Sequence, residues 1–562
     1  MKKNRLFVFG LAWIAALAYG QEAQKSINYK FRIKNQRQYY DVDPNKNVFG
    51  SEQTYTIQNT GAEKTRIIVF GLHPQLRIES LTLKDVNGQI LSHEDAQALG
   101  KDFRLGSAFT VYEVKTENDI APDQLLDFVI RYKLNPEAIA EWPKFWWNLT
   151  ISRNANFAIT PAAGNNVIFG LNYRSPFVIR IRYPEGNLAC VPGNRVSSEK
   201  TGGYCVETFE SKTPNIPVFA CAPYKKIERR SQGYSIEFFL YPHETLPEEM
   251  ADQLFAAVFL YAKYFGDNGA REYRVATAGP YQATASGAEN KGNCVFMMDR
   301  FLRDALKTQE GKWDYLATLF HEAFHNWNLF SLNWSGDYGE WFGEGGAAFI
   351  QAWAAEKILG PSAARSVRKT FLRNVILGKV YQVPAVLAKA EKRSRAERAL
   401  IYYYGALVWE QLRQKLGDEI FFAGFGDFLK QNMFKNETSF KDLTASWAPY
   451  TKLDIPAYLA PWIDHNARIS LSVEKVETRA KDGAFITEVA LNVDSDRDYE
   501  IITALEYQVD SSGPARSVPL NLVKKGIQTI RFESDKEPIF IQIDPEFRVP
   551  WMTDGKLTWE KR

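Results

Sequence analysis

Two histidines, His321 and His325, stand four residues apart with Glu322 between them, and no other stretch restricts the fold of this chain as strongly. They lie in the segment 315–329, where Leu316, Leu319, Phe320, Ala323, Phe324 and Trp327 recur at helical spacing. Residues four apart sit one above another on a helix, so the two imidazoles converge on one point. That arrangement suits a zinc ion, and a catalytic zinc takes three protein ligands and keeps a position open for water. The third ligand has to come from elsewhere in the chain. Eighteen residues after His325 comes Glu344, inside Trp341-Phe342-Gly343-Glu344-Gly345-Gly346-Ala347-Ala348-Phe349, where a second helix begins. Antiparallel packing of the two helices returns the Glu344 carboxylate to the metal. One zinc per chain is therefore expected on His321, His325 and Glu344. Glu322, one step round the helix, faces the water and not the metal. Zinc lowers the pKa of that water to about 7, and Glu322 can take its proton as it attacks a carbonyl. The competing reading, two histidines held for packing or capping, leaves the placement of Glu344 without a reason. With only six histidines in the chain, a chance match is also improbable.

The remainder divides by texture. At 562 residues the chain exceeds what one hydrophobic core organises, so several domains are expected. From Ile27 to Tyr241 short apolar or alternating runs such as Thr54-Tyr55-Thr56-Ile57, Arg66-Ile67-Ile68-Val69-Phe70 and Phe177-Val178-Ile179-Arg180-Ile181-Arg182 are separated by Gly, Asn, Asp and Pro. They predict an antiparallel β domain, and Phe145-Trp146-Trp147 within it reads as core. The texture turns helical after Pro242-His243-Glu244, with helices over 248–265, 315–329, 344–358 and 402–415. Strand patterning returns from Ser470, as in Phe485-Ile486-Thr487-Glu488-Val489-Ala490-Leu491, and predicts a small β-sandwich. The expected organisation is multidomain α+β, with domains at 21–241, 242–466 and 467–562.

Net charge is only +3, which gives no global field for a polyanion. The basic runs Lys225-Lys226-Ile227-Glu228-Arg229-Arg230 and Lys392-Arg393-Ser394-Arg395 are short and interrupted or flanked by Glu, as on a solvated face, so no nucleic acid partner is expected. At the N-terminus, Lys2, Lys3 and Arg5 precede the apolar stretch Leu6 to Ala18, and Ala18-Tyr19-Gly20 places small residues where a signal peptidase reads. Residues 1–20 are expected to be a cleaved secretory signal, delivering the protein to the periplasm or the extracellular space. The run is too short to span a bilayer comfortably, so no stable membrane insertion is expected. Cys190, Cys205, Cys221 and Cys294 leave two possibilities open: disulfides, with Cys190–Cys205 or Cys205–Cys221 favoured by proximity in sequence, or four buried thiols.

His-Glu-x-x-His, eighteen residues, then Glu followed by Gly resembles the aminopeptidase N family, whose third ligand stands in a W-x-x-E-G context. Asn328-Leu329 and Trp334 are similar as well. His325-Asn326-Trp327-Asn328 also resembles the glycyl aminopeptidases, which often carry H-x-W-N. Both families are gluzincins, so the resemblance, which covers about Tyr261 to Gln431, implies a thermolysin-like, mainly helical catalytic domain acting on peptides. It implies two further site elements. Ser286-Gly287-Ala288-Glu289-Asn290 is similar to the family's G-x-M-E-N strand, with Ser286 and Ala288 departing from it. Glu289 would then bind the α-amine of the substrate beside Gly287 and Ala288, a charge-assisted contact that an aminopeptidase needs. Tyr402-Tyr403-Tyr404-Gly405 resembles the Y-x-K-G segment, which makes Tyr402 the donor to the oxyanion, with Tyr404 in place of the usual Lys. Packing is the alternative for a string of three tyrosines. The large C-terminal helical domain of bigger family members has no counterpart, because strands resume soon after His465. Three functional readings follow: an exported zinc aminopeptidase, a zinc endopeptidase on the same scaffold, or a secreted binding protein that keeps the fold without turnover. Oligomeric state is not legible.

Overall fold

A computed structural model describes residues 30–43, 48–72, 76–102, 109–134, 167–168, 175–215, 217–278, 288–290, 292–383, 386–390, 394–435, 437–465, 468–551 and 557–561. The signal-like segment, Phe145-Trp146-Trp147, Lys392-Arg393 and Ser286-Gly287 lie outside these residues. Among the described residues, no helix is long and apolar enough to cross a membrane.

The chain forms two compact units. The first comprises Met1–Asp41, Val48–Lys144 and Asn165–Ser175. Its strands are antiparallel: Val48–Asn59 pairs with Leu125–Leu134, which pairs with Leu76–Asp85, while Thr65–Leu72 pairs with Phe109–Ile120. Alternation drives this pairing. Along Ser51–Asn59 every second residue is buried, so Tyr55 and Ile57 turn inward while Thr54 and Thr56 are only partly covered. Phe70 and Phe128, one from each sheet, meet at 4.9 Å in an edge-to-face contact.

The second unit comprises Val42–Asn47, Phe145–Gly164 and Pro176–Arg562. At its heart is a five-stranded mixed sheet. Strands β1 (Lys225–Ser231) and β2 (Tyr234–Leu240) form an antiparallel hairpin. Helix α1 (Glu248–Phe265) then crosses to β3 (Glu272–Ala278), which runs parallel to β2. Strands β4 (Ala288–Asn290) and β5 (Cys294–Met298) complete the order β1-β2-β3-β5-β4, with β5 parallel to β3 and β4 antiparallel to β5. The sheet thus takes its first two strands from before Tyr241, because the β2-α1-β3 crossover needs β2 as its parallel partner. The basic run at Lys225 is β1 itself, and Lys226 lies 2.7 Å from Glu237 on the neighbouring strand. Its charge is answered by carboxylates.

Helices α2 (Asp299–Ala305), α3 (Gln309–Asn328), α4 (Gly346–Ile358), α5 (Pro361–Leu377) and α6 (Gly405–Asn432) follow. Thr308 caps α3 by accepting from the Gly311 amide at 3.0 Å. Gly417, at φ +74°, breaks α6 just beyond the helix expected over 402–415, and a second helical segment continues beyond it. The C-terminal strands form two antiparallel sheets, one of Ile469–Lys481, Ala484–Ser495 and Gly526–Ser534, the other of Ile501–Gln508, Arg516–Leu522, Phe540–Ile543 and Thr558–Glu560. Tyr507 and Phe532 stack between them at 4.3 Å. Gln411 of α6, fully buried, ties this region to the helices. Its amide nitrogen donates to the carbonyls of Ile502 at 3.1 Å and Arg548 at 3.0 Å, and its oxygen accepts from the Ile502 amide at 2.9 Å.

All four cysteines are free and buried. Neither pairing favoured by sequence proximity is formed; Cys190 instead meets Cys294 in a buried cluster, with sulfurs 3.9 Å apart.

Candidate metal centre

Helix α3 is buried on nearly every side from Tyr315 to Asn328, so its polar residues there need partners inside the protein. His321, Glu322 and His325 are each less than a tenth exposed. The two imidazole rings stand 4.7 Å apart and perpendicular. Glu344 reaches them from a five-residue π-turn, Trp341–Gly345, that opens directly into α4. Its Oε2 lies 3.3 Å from Nε2 of His321 and 3.3 Å from Nε2 of His325. The three ligand atoms all fall within 4.8 Å of one another. Ligand atoms from α3 and from the turn ahead of α4 therefore converge on one point.

The donors fit a metal ion in kind as well as in position. Two imidazole nitrogens and one carboxylate oxygen are the set of an open zinc site. Nδ1 of His325 sits 3.2 Å from Oδ1 of Asn328, whose amide nitrogen donates to the carbonyls of Phe342 at 3.1 Å and Gly343 at 2.6 Å. With both amide hydrogens committed to carbonyls, Oδ1 must accept, so His325 carries its proton on Nδ1 and turns the lone pair of Nε2 toward Glu344.

Tyr402 closes another side. It lies in a second π-turn, Leu400–Tyr404, that opens into α6. Its ring stacks on His321 at 5.9 Å and 11°. Burial first, then the neighbouring Glu344 and Glu322 carboxylates and a hydrogen bond to Glu344, raise the phenol well above its ordinary pKa, so it keeps its proton and remains a donor. The three tyrosines part company here. Tyr403 packs toward Phe371 at 5.6 Å, and Tyr404 is buried with its hydroxyl donating to the Trp462 carbonyl at 3.0 Å. The site thus receives only the first of them.

The two π-turns meet through glycines. A Cβ on Gly345 would lie 2.7 Å from the Ile401 carbonyl oxygen, and one on Gly405 would lie 2.8 Å from Cδ1 of Trp341. Trp341 also donates to the Gly405 carbonyl at 3.2 Å and stacks on Trp409 at 4.6 Å. Such turns are rare and recur at functional sites; here both carry a residue of the centre.

Residues 272–462 match the family model described as the peptidase family M1 domain. This segment is an M1 peptidase domain, of the aminopeptidase N family of gluzincins. The resemblance to this family is thereby shown, and with it a metallopeptidase domain. No curated protein matches the chain.

Within the M1 domain, Ala288 and Glu289 lie on β4, where Glu289 pairs with Phe296 of β5, and β4 runs beside α3. Gly287 lies outside the described residues. Asn326 sets the position of this hairpin on the helix, since its Oδ1 accepts from the Asn293 amide at 2.8 Å. Tyr338 anchors the loop before Glu344. Its backbone is left-handed at φ 72°, its amide donates to the Ala388 carbonyl at 2.7 Å, and its hydroxyl donates to Asp464 at 2.9 Å. Sequence reasoning missed both roles. Asn326 follows a ligand histidine, which is a usable hint, but nothing in a sequence marks an aromatic residue for positive φ.

Proposed function

We propose that this chain is an exported zinc aminopeptidase that hydrolyses peptide bonds at free N-termini. The observation that carries the reading is the convergence of His321, His325 and Glu344 ligand atoms within 4.8 Å inside an M1 domain. When bound there, zinc supplies Lewis acidity to a water and to the scissile carbonyl. Glu322 takes the proton of the attacking water and returns it to the leaving amine. Tyr402 donates to the carbonyl oxygen as it gains negative charge. Glu289, on the strand beside α3, pairs with the substrate's α-ammonium, with Gly287 and Ala288 bordering the peptide. Export is supported by Lys2, Lys3 and Arg5 preceding the apolar stretch Leu6 to Ala18.

The test compares one peptide library, free and N-acetylated, with purified protein before and after chelation. Free peptides should lose N-terminal residues, and chelation should abolish the reaction. A hydrogen bond to a charged group contributes about 1.5–3 kcal/mol, so Glu289→Ala should slow cleavage of free peptides roughly ten- to hundredfold and barely change that of blocked ones. Equal cleavage of free and acetylated peptides would replace this reading with an endopeptidase. No cleavage by zinc-loaded protein would leave a binding protein.

A further inference from the structure

Asn328, a side chain outside the ligand set, contacts both halves of the metal centre. Asn328 ends α3, three residues beyond His325, and is almost wholly buried at 2% exposure. Its oxygen meets Nδ1 of His325, and its nitrogen meets the carbonyls of Phe342 and Gly343 in the π-turn that carries Glu344. All three contacts are within hydrogen-bonding distance, at 3.2, 3.1 and 2.6 Å. A leucine of the same shape would fill the space but leave one imidazole N–H and two carbonyls without these partners. The Gly343 carbonyl belongs to the peptide unit that leads into Glu344, so this contact fixes the backbone from which the carboxylate extends. His321 has no equivalent partner: its Nδ1 is buried without a hydrogen bond among the described residues. Among the described residues, the Asn328 amide thus ties the His325 ring to the backbone of the Glu344 turn, a link that Nδ1 of His321 lacks.

We propose that Asn328 is a positioning residue for zinc: it selects the His325 tautomer that offers Nε2 and holds the Glu344 turn at the matching distance. The proposal rests on the zinc reading above. Its two links are separable, because the oxygen serves the histidine and the nitrogen serves the turn. Asn328→Ala removes both links. Asn328→Asp keeps an acceptor for His325 but sets a carboxylate against two carbonyl oxygens.

The experiment measures zinc affinity of folded, metal-free full-length protein by competition with a chromogenic chelator, and melting of the same metal-free samples. Partners of metal-bound histidines typically contribute about ten- to hundredfold in affinity. Asn328→Ala should bind zinc weaker by that factor. Asn328→Asp should bind closer to wild type yet melt lower than Asn328→Ala. A role in packing alone predicts that the two properties fall together, whereas the proposal predicts opposite rank orders. If Asn328→Ala does not fold, Asn328→Leu is compared with Asn328→Asp on the same terms. Zinc affinity of the Ala or Leu variant equal to wild type, or losses ranked identically in affinity and melting, would overturn the assignment and leave the zinc reading standing. Wild-type protein that binds no zinc would overturn both.

Discussion

The contact between the two π-turns makes a sharp prediction about a single methyl group. Gly345 and Gly343 occupy the same turn, two residues apart, yet their surroundings differ. A Cβ at Gly345 would stand 2.7 Å from the Ile401 carbonyl oxygen and 3.0 Å from Cδ1 of Trp341. At Gly343 the nearest atom would be Cδ1 of Leu329 at 3.7 Å, an ordinary contact. Backbone cannot rotate aside as a side chain can, so Gly345→Ala forces the turns apart. Overpacking of this kind costs about 1–3 kcal/mol, and the better helix preference of alanine offsets at most about 1 kcal/mol. After the full alanine offset the net loss of roughly 0–2 kcal/mol lowers melting by up to about 8 °C at the 2–4 °C per kcal/mol typical of larger domains. Gly343→Ala should be neutral or stabilising by about 0.4–1 kcal/mol. Activity should diverge further than stability, since a shift of about 1 Å between groups of an active site can cost about 10²-fold. Melting by circular dichroism and peptide hydrolysis, run on both variants, provide the comparison. A Gly345→Ala protein that melts and turns over like wild type would refute the claim that this contact sets the spacing of Glu344 and Tyr402.

Three further outcomes are expected. Glu322→Gln should lose about 10²–10⁴ in turnover while keeping its zinc by metal analysis, because an amide of the same size cannot accept the proton; near-normal hydrolysis would count against the mechanism. Tyr402→Phe should slow turnover by about 10²–10³ through loss of one donor, with zinc content unchanged; loss of the metal instead would make it a structural support for His321. The pH dependence of stability should report Glu356. Burial alone would raise this carboxyl, but the Arg413 and Arg368 guanidiniums outweigh that and hold it below the usual range. A depressed folded-state pKa gives stability that is present above the unfolded value of about 4.3 and is lost as pH falls through the folded value. The stability gap between wild type and Glu356→Gln should therefore be widest near neutrality and close in acid, as followed by denaturant titration.

Much of the centre was legible because it is built from local periodicity. His321 and His325 share a face by spacing alone, and the apolar stripe through Leu316, Phe320 and Phe324 says which way the helix packs. Glu344 was legible because a short connection between two buried helices leaves few places for the second to return. The rest depends on contacts that spacing does not encode. The parallel pairing of β2 with β3 joins strands whose paired residues are nearly forty positions apart, so a break in texture near Pro242 says nothing of the sheet that spans it. Cys190 and Cys294 meet across 104 residues for the same reason, while nearer cysteines do not pair. Among Tyr402, Tyr403 and Tyr404, only the turn geometry decides which ring reaches His321. The left-handed backbone of Tyr338 is fixed by Asp464, Ala388 and Phe440, all distant in sequence.

The wide turns ahead of α4 and α6 also separate two demands that an uninterrupted helix would have to meet together. A π-turn holds one residue more than an α-turn, and one residue is about 100° of helical rotation. Side chains before the turn are therefore aimed independently of those behind it. Phe349 and Trp353 of α4, and Trp409 and Leu412 of α6, answer to the apolar interior, while Glu344 and Tyr402 answer to His321 and His325. Residues added or removed within these turns re-aim the chemistry along with the turns' own core residues Trp341, Phe342, Leu400 and Ile401, whereas changes behind them shift the register of the interior.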